Sequence, residues 1–420
     1  LKSENNHNAS LQVPFFRPLI GEAEIAEVVA CLRSGWLTTG PRTKQFETAF
    51  AAAVRGKHAL AVNSCTAALH LAVEALGLGP SQAVLVPTMT FAATAEIVRY
   101  QGASPLLVDC DPVTLHMDLA DAERKIEQLR AGQTPLDPAL RVTGIIPVHV
   151  GGLMMDMDEV QAFAGKHGLW VVEDAAHSFP AAYRTRSADP QGETHVSPWR
   201  RCGENTAAVT CFSFYANKTM TTGEGGMAVS DATELVGRMR QMSLHGLSHD
   251  AWKRYAGNHA WDYQIVDAGY KYNFTDVAAA IGIHQLARAE EMRCDRERIA
   301  RLFRTRLADV EQLDLPPDPP DRLHAWHLFP IRLRLDKLSI DRNRFITCLR
   351  EQGVGCSVHW RPLHLHPYYR EHFAWRPEQL PVASAQWPKL ITLPVFPGMQ
   401  AEECEQVIAV VRQLCSQYAR

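Results

Sequence analysis

Lys218 lies where a strand-like run breaks into a turn. Thr210-Cys211-Phe212-Ser213-Phe214 reads as apolar strand, Tyr215-Ala216-Asn217 breaks it, and Thr222-Gly223-Glu224-Gly225-Gly226 closes the loop before the apolar Met227-Ala228-Val229-Ser230. A lysine at such a boundary, outside any charge run, loses its proton when desolvated and then attacks a carbonyl to form a Schiff base. A solvated lysine beside a glycine turn fits the same letters, so the rest of the chain has to decide.

Three upstream strand ends carry the partners such an amine would need. In Asn63-Ser64-Cys65-Thr66-Ala67 small hydroxyl residues open a helix after a strand, where free backbone N–H groups favour an anion such as phosphate; a plain helix cap is the competing reading. Val86-Pro87-Thr88-Met89-Thr90-Phe91 places an aromatic ring at the next strand end, either to stack on a planar ligand or to pack in the core. Val171-Val172-Glu173-Asp174-Ala175-Ala176-His177 puts carboxylates beyond a buried strand, where a pyridinium nitrogen would be a suitable partner; an N-cap role for Asp174 is the alternative. Each signal is weak alone. Phosphate pocket, stacking ring, carboxylate and lysine, met in order on successive strand ends, describe a pyridoxal 5′-phosphate (PLP) site.

The elements that must position these residues alternate between short β-rich runs and helical stretches. Strands are expected at 58–62, 83–86, 105–108, 144–150, 169–173 and 207–212, with helices beginning at Thr66, Ala92, near Leu119 and at Met157. Continuous apolar strands separated by helices predict an α/β fold with a mostly parallel sheet covered on both faces, and ligands in such folds sit at the carboxyl ends of the strands. The domain reading is a flexible tail over 1–13, a large domain over 14–285 and a smaller α+β domain over 286–420. Residues 184–204 are polar, Pro/Gly-containing and patternless, and are expected to be an insertion loop.

Composition narrows the class of protein. Lys plus Arg total 43 against 46 Asp plus Glu, mixed along the chain, which gives no footprint for nucleic acid or membrane. The polar start has no signal-peptide core and no run is long enough to span a bilayer, so a cytoplasmic protein is expected. Ten cysteines without a CxxC pair suit reduced thiols. His359, His364 and His366 lie close together but lack an acidic or cysteine partner at ligand spacing, and no metal site is expected.

Longer stretches add a resemblance to a known family. Gly35-Trp36-Leu37 with Gly40-Pro41, Ser64-Cys65-Thr66-Ala67-Ala68-Leu69, Pro147-Val148-His149-Val150-Gly151-Gly152, Glu173-Asp174-Ala175-Ala176-His177, Phe212-Ser213-Phe214 with Lys218, His245-Gly246, Tyr272-Asn273-Phe274-Thr275-Asp276 and Leu393-Pro394-Val395-Phe396-Pro397 occur in order. Together they resemble the DegT/DnrJ/EryC1/StrS sugar aminotransferases, of the fold-type I PLP enzymes. The resemblance implies a seven-stranded, mostly parallel sheet in the large domain, and an internal aldimine between Lys218 and PLP, with pyridoxamine phosphate as intermediate. It implies that Asp174 pairs with the ring nitrogen, that Phe91 stacks on the ring and that His177 lies near the phenolic oxygen. Cys65, Thr66 and Ser213 would hold the phosphate, with Asn273 reaching in from the second subunit of a homodimer with shared active sites. Trp36, His327 and His359 are candidate substrate contacts. The implied reaction moves an amino group from a donor, usually glutamate in this family, to a keto group of a nucleotide-linked sugar. Cys65 stands where the family usually has Gly, and the 184–204 segment is longer than usual. A sugar dehydratase on the same scaffold is the nearer alternative, although such relatives typically carry histidine at the lysine position; a non-catalytic regulatory protein is the more distant one.

Overall fold

The computed structural model describes residues 11–188, 194–247 and 264–420. Seven runs of mostly buried residues form the central sheet: β1 (His58–Val62), β2 (Gln82–Pro87), β3 (Ser104–Val108), β4 (Arg141–Ile145), β5 (Trp170–Asp174), β6 (Val209–Ser213) and β7 (Gly226–Ser230). Their order is β1-β7-β6-β5-β4-β2-β3, and of the seven only β7 runs against its neighbours. Strands buried on both faces have no alternation to display, which is why they read as continuous apolar runs.

Helices α1 (Glu22–Ser34), α2 (Pro41–Val54), α3 (Cys65–Ala75), α4 (Ala93–Tyr100), α5 (Leu119–Arg130), α6 (Met157–His167), α7 (Thr233–Met242) and α8 (Asp276–Ala287) belong to this large body. Their starts follow ordinary capping chemistry: Ser64, Asp118 and Asp156 each accept a backbone N–H of the helix they precede. The cap of α2 comes from far along the chain. Asp276 accepts from the amides of Gly40 (2.8 Å), Arg42 (3.1 Å) and Thr43 (2.9 Å) and from the Thr43 hydroxyl (2.7 Å).

The smaller body has a three-stranded antiparallel sheet of β8 (Leu313–Asp314), β9 (Phe329–Leu333) and β10 (Leu390–Leu393). It is packed by α9 (Ala289–Leu307), α10 (Arg342–Glu351) and α13 (Ala401–Gln417), whereas the short helix α11 (Pro367–Phe373) buries Tyr369 and Phe373 in the large core and α12 (Pro381–Gln386) follows it. Helix α9 serves both bodies. Its first turns place Ala289 and Met292 in the large core, and its last turns place Ile299, Phe303 and Leu307 in the small one.

Two expectations need correction. Val13 is no part of a flexible tail: it is 2 % exposed, belongs to the small core, and exchanges backbone hydrogen bonds with Gly353 and Gly355 at 2.8 Å each. Residues 1–10 of the expected tail lie outside the described residues. The 184–204 segment is also not patternless. Arg186–Ala188 pairs with Thr194–Val196, while Ala182–Tyr183 pairs on one side with Arg200–Arg201 and on the other with Arg322–Leu323. Strands of two or three residues are too short to carry a period, so the sequence does not reveal them. Residues 189–193 of that segment lie outside the described residues. Among the described residues, no helix is long and apolar enough to cross a membrane.

Candidate active site

Parallel strands place their carboxyl ends on one edge, and β7, being antiparallel, starts at that same edge, with Gly226 in register with both Val62 and Ser213. A cavity of about 580 Å³ opens there. Its large-body wall is made by Ser64, Cys65 and Thr66 after β1, Phe91 after β2, Asp174 at the end of β5 with His177 just beyond, and Ser213 at the end of β6 with Lys218 in the loop that follows; His327, His359 and Trp360 close it from the small body. A Cβ on Gly226 would lie 2.4 Å from the carbonyl of Ser64 and 2.5 Å from the Cys65 nitrogen. Glycine here seats the start of α3 directly against β7. The Ser64 hydroxyl accepts the Ala67 N–H at 3.1 Å, and helical geometry leaves the amides of Cys65 and Thr66 without an intrahelical acceptor.

The loop bearing Lys218 is held by its own backbone. Phe214 N donates to Gly225 O (2.9 Å), Thr222 N to Phe214 O (3.0 Å) and Lys218 N to Tyr215 O (3.0 Å). Gly223 adopts φ +82° with open space around its Cβ position, so there glycine serves conformation and not packing. The Lys218 amine lies 3.4 Å from His327 Nε2, and burial lowers its pKa to about 8. Burial also pushes His177 and His327 well below the usual imidazole range, leaving both neutral at pH 7. His177 Nδ1 accepts the Gly151 N–H at 3.3 Å, which puts the ring proton on Nε2. Its ring stacks on Trp360, with centroids 5.0 Å apart and planes 18° apart.

Side chains alternate along β5, so its two consecutive carboxylates meet different surroundings. Glu173 accepts from His149 Nε2 (2.8 Å), the Thr210 hydroxyl (3.2 Å) and the Cys202 thiol (3.6 Å). His149, Glu173 and Cys202 bring their ligand-type atoms within 4.8 Å of one another, but His149 Nδ1 accepts from Met155 N (3.2 Å), so its proton is on Nε2 and is given to Glu173. Asp174 instead lines the cavity. Its Oδ2 accepts from the Thr94 hydroxyl (2.7 Å) and its Oδ1 from Ala176 N (3.2 Å), and burial raises its pKa.

Nine of the residues singled out in the sequence, Cys65, Thr66, Phe91, Asp174, His177, Ser213, Lys218, His327 and His359, line this one cavity. Phe91 is 64 % exposed, so it presents its ring to the opening and is not core. Trp36 and Asn273 do not line the cavity of this chain; both bond to Thr39, Trp36 Nε1 to its carbonyl (3.2 Å) and Asn273 Nδ2 to its hydroxyl (2.9 Å). The clustered histidines diverge: His359 pairs with Thr392 (2.9 Å), His364 with Thr88 and Ser384 (2.8 Å each), and His366 with the Arg361 carbonyl (3.2 Å). Sequence reasoning missed Thr94 and Trp360. Thr94, on the first turn of α4, sits four residues after Thr90 in the preceding loop, and their hydroxyls meet at 2.7 Å; Trp360 had no local signal.

The set fits PLP. A buried carboxylate suits a pyridinium, a helix start with free amides suits a phosphate, and a desolvated amine suits an aldehyde. Asn217 Oδ1 and His327 Nδ1, on residues that line the cavity, are buried with no partner, which leaves polar capacity for a ligand.

Comparison with known proteins agrees. The DegT/DnrJ/EryC1/StrS aminotransferase family matches residues 18–412. The spore coat polysaccharide biosynthesis protein SpsC of Bacillus subtilis is 40% identical over 403 residues, covering 96% of this chain and 97% of SpsC. Among solved structures, the PLP-form of Spr1654 from Streptococcus pneumoniae superposes with a TM-score of 0.83 at 29% identity, over 97% of this chain and 99% of that one, and its PMP-form with 0.84. The sugar aminotransferase CalS13 from Micromonospora echinospora gives 0.80 at 26% identity, over 96% and 99%. The fold is that of the fold-type I PLP aminotransferases. With lysine, carboxylate and helix start meeting at one sheet edge, this chain belongs to the DegT/DnrJ/EryC1/StrS aminotransferase family and is a PLP-dependent enzyme.

Proposed function

We propose that this enzyme transfers an amino group from glutamate to a keto group of a nucleotide-linked sugar. The observation that carries the reading is the cavity in which the Lys218 amine, the Asp174 carboxylate and the start of α3 face one space. The names of CalS13 and SpsC support a sugar-derived substrate.

Bound PLP supplies an electron sink for the pair left when a proton leaves the carbon bearing nitrogen. Lys218 would hold the cofactor covalently until the incoming donor amine displaces it; the freed lysine amine would then take the proton from the donor carbon and return it on the cofactor side, with the reverse transfer for the sugar. An amine with a pKa of about 8 does both near neutral pH. Asp174 would pair with the ring nitrogen, Phe91 would stack on the ring and His177 would donate its Nε2–H to the phenolic oxygen. The amides of Cys65 and Thr66 and the Ser213 hydroxyl would hold the phosphate. His327 and His359 flank the substrate from the small body.

Asn273, outside this chain's cavity, would reach the site of a second subunit, and Trp36, bonded to the same Thr39, would meet substrate there. The apolar stripe Ile25, Val29 and Leu32, which α1 exposes at successive turns, supports a homodimer.

The deciding measurement uses ¹⁵N-glutamate and a panel of nucleotide-linked keto-sugars with the holoenzyme. The expected outcome is an equal yield of 2-oxoglutarate and ¹⁵N-amino-sugar nucleotide, abolished in Lys218→Ala. Transfer to free keto-sugars alone would exclude the nucleotide; loss of water without gain of ¹⁵N would make the enzyme a dehydratase.

A further inference from the structure

Arg296, on α9, is 2 % exposed and makes no ion pair among the described residues. A buried cation is normally matched by a carboxylate, because desolvating an unpaired charge is costly. Here its hydrogen bonds all go to carbonyls, and the neighbouring Asp295 acts on it only through space. Nη1 donates to Val395 O (2.6 Å), His327 O (3.2 Å) and Trp326 O (3.3 Å), and Nη2 donates to Asn217 O (3.4 Å), while Nε is buried without a partner.

Those carbonyls are not scattered. Asn217 immediately precedes Lys218, and His327 carries the imidazole 3.4 Å from the Lys218 amine. One guanidinium therefore grips, through their backbones, both members of the amine–imidazole contact, one from the large body and one from the small. The planar fork of arginine suits the task, since lysine is a point charge on a flexible stem.

We propose that Arg296 is a positioning residue for Lys218, fixing the lysine loop against the His327 segment and holding a positive charge, without a direct ion pair, near the reactive amine. This rests on the reading of Lys218 as that amine. The titratable groups around Lys218 are Cys65, Asp174, His177, His327, His359 and Arg296. The three histidines are held neutral by burial, and Cys65 is pushed up and stays a thiol. That leaves Asp174 favouring protonation of the amine and Arg296 opposing it. Burial lowers Arg296 itself to about 9, so it remains cationic at neutral pH.

The test follows the rate of amine labelling by trinitrobenzenesulfonate at Lys218, read by peptide mass spectrometry across pH in cofactor-free full-length protein, beside kinetics of the holoenzyme. Arg296→Met is expected to raise the labelling midpoint by about one unit, because a positive neighbour is lost. It should also lower kcat at least about tenfold with the KM for glutamate little changed. Arg296→Lys keeps charge without the fork, so its midpoint should stay near wild type while kcat still falls at least about fivefold. A folded Arg296→Met protein with an unmoved midpoint overturns the electrostatic part, and a fully active Arg296→Lys protein overturns the positioning part. If Arg296→Met fails to fold, a wild-type midpoint at the ordinary lysine value overturns the electrostatic part just as well. Borohydride capture of the cofactor separates the two layers: capture away from Lys218 overturns the reading beneath, whereas capture at Lys218 with unmoved midpoint and kcat overturns Arg296 alone.

Discussion

Two consecutive carboxylates show how much a single residue's chemistry depends on which side of a strand it occupies. Glu173 is spent on three donors behind the sheet, while Asp174 keeps a cavity-facing edge. Lys218 is tuned in the same way, by burial at the mouth of the site. Its folded-state pKa of about 8 lies below that of an exposed lysine, so between that pH and roughly 10.4 the unfolded chain binds more protons than the folded one. The stability of cofactor-free protein should therefore rise with pH through that window as far as Lys218 is concerned, and below it the cost of burying the charged amine is present in full. Lys218→Met is expected to stabilise cofactor-free protein at pH 7, with a gain that shrinks as pH approaches 10. Urea titrations at both pH values, compared with wild type, read this directly, and a gain that grows with pH would contradict it.

At the scale of elements, the site depends on one antiparallel strand in an otherwise parallel sheet. Because β7 begins where the other strands end, Gly226 meets the start of α3 backbone to backbone. Gly226→Ala forces the two apart. The expected result is a loss of roughly 1–3 kcal/mol in unfolding free energy, together with at least about tenfold weaker cofactor retention, since the displaced amides of Cys65 and Thr66 no longer converge. Equilibrium dialysis of the cofactor separates this from simple destabilisation. A variant that unfolds more easily yet holds PLP as tightly as wild type would mean that β7 supports the helix without shaping the anion site. The loop between β6 and β7 adds a second lesson. Its glycines serve different ends: Gly226 is a close approach and Gly223 is a left-handed turn.

The whole molecule closes its cavity with two bodies, large and small, joined along α9 and gripped together by Arg296. The proposed homodimer adds a third participant through Asn273. A shared site makes a sharp prediction about mixed subunits. Lys218→Ala and Asn273→Ala proteins should each be nearly inactive alone. Unfolded together and refolded as a mixture, they should recover roughly a quarter of wild-type activity, because half of the dimers are mixed and each mixed dimer holds one intact site. No recovery, in dimers shown to exchange, would place Asn273 in its own subunit's site or outside catalysis.

Local chemistry was legible along the chain. Strand ends followed by small hydroxyls, by Asp174 or by Lys218 announce themselves because strand, turn and helix start are neighbours in sequence, and their order on a parallel sheet predicts that they meet at one edge. The motif matches added the family. The partners that tune these groups were not legible. Thr94 on Asp174, Trp360 on His177, Arg296 on the lysine loop and Asp276 capping α2 are contacts across loops and between bodies. The short strands of the 184–204 segment escaped for a related reason, since two or three residues carry no period and their pairing with Arg322–Leu323 is remote in sequence. The sequence alone thus determined which groups gather at one edge of the sheet. Only the tertiary structure decided their protonation and orientation, because desolvation and hydrogen-bond partners come from whatever the fold packs against each side chain.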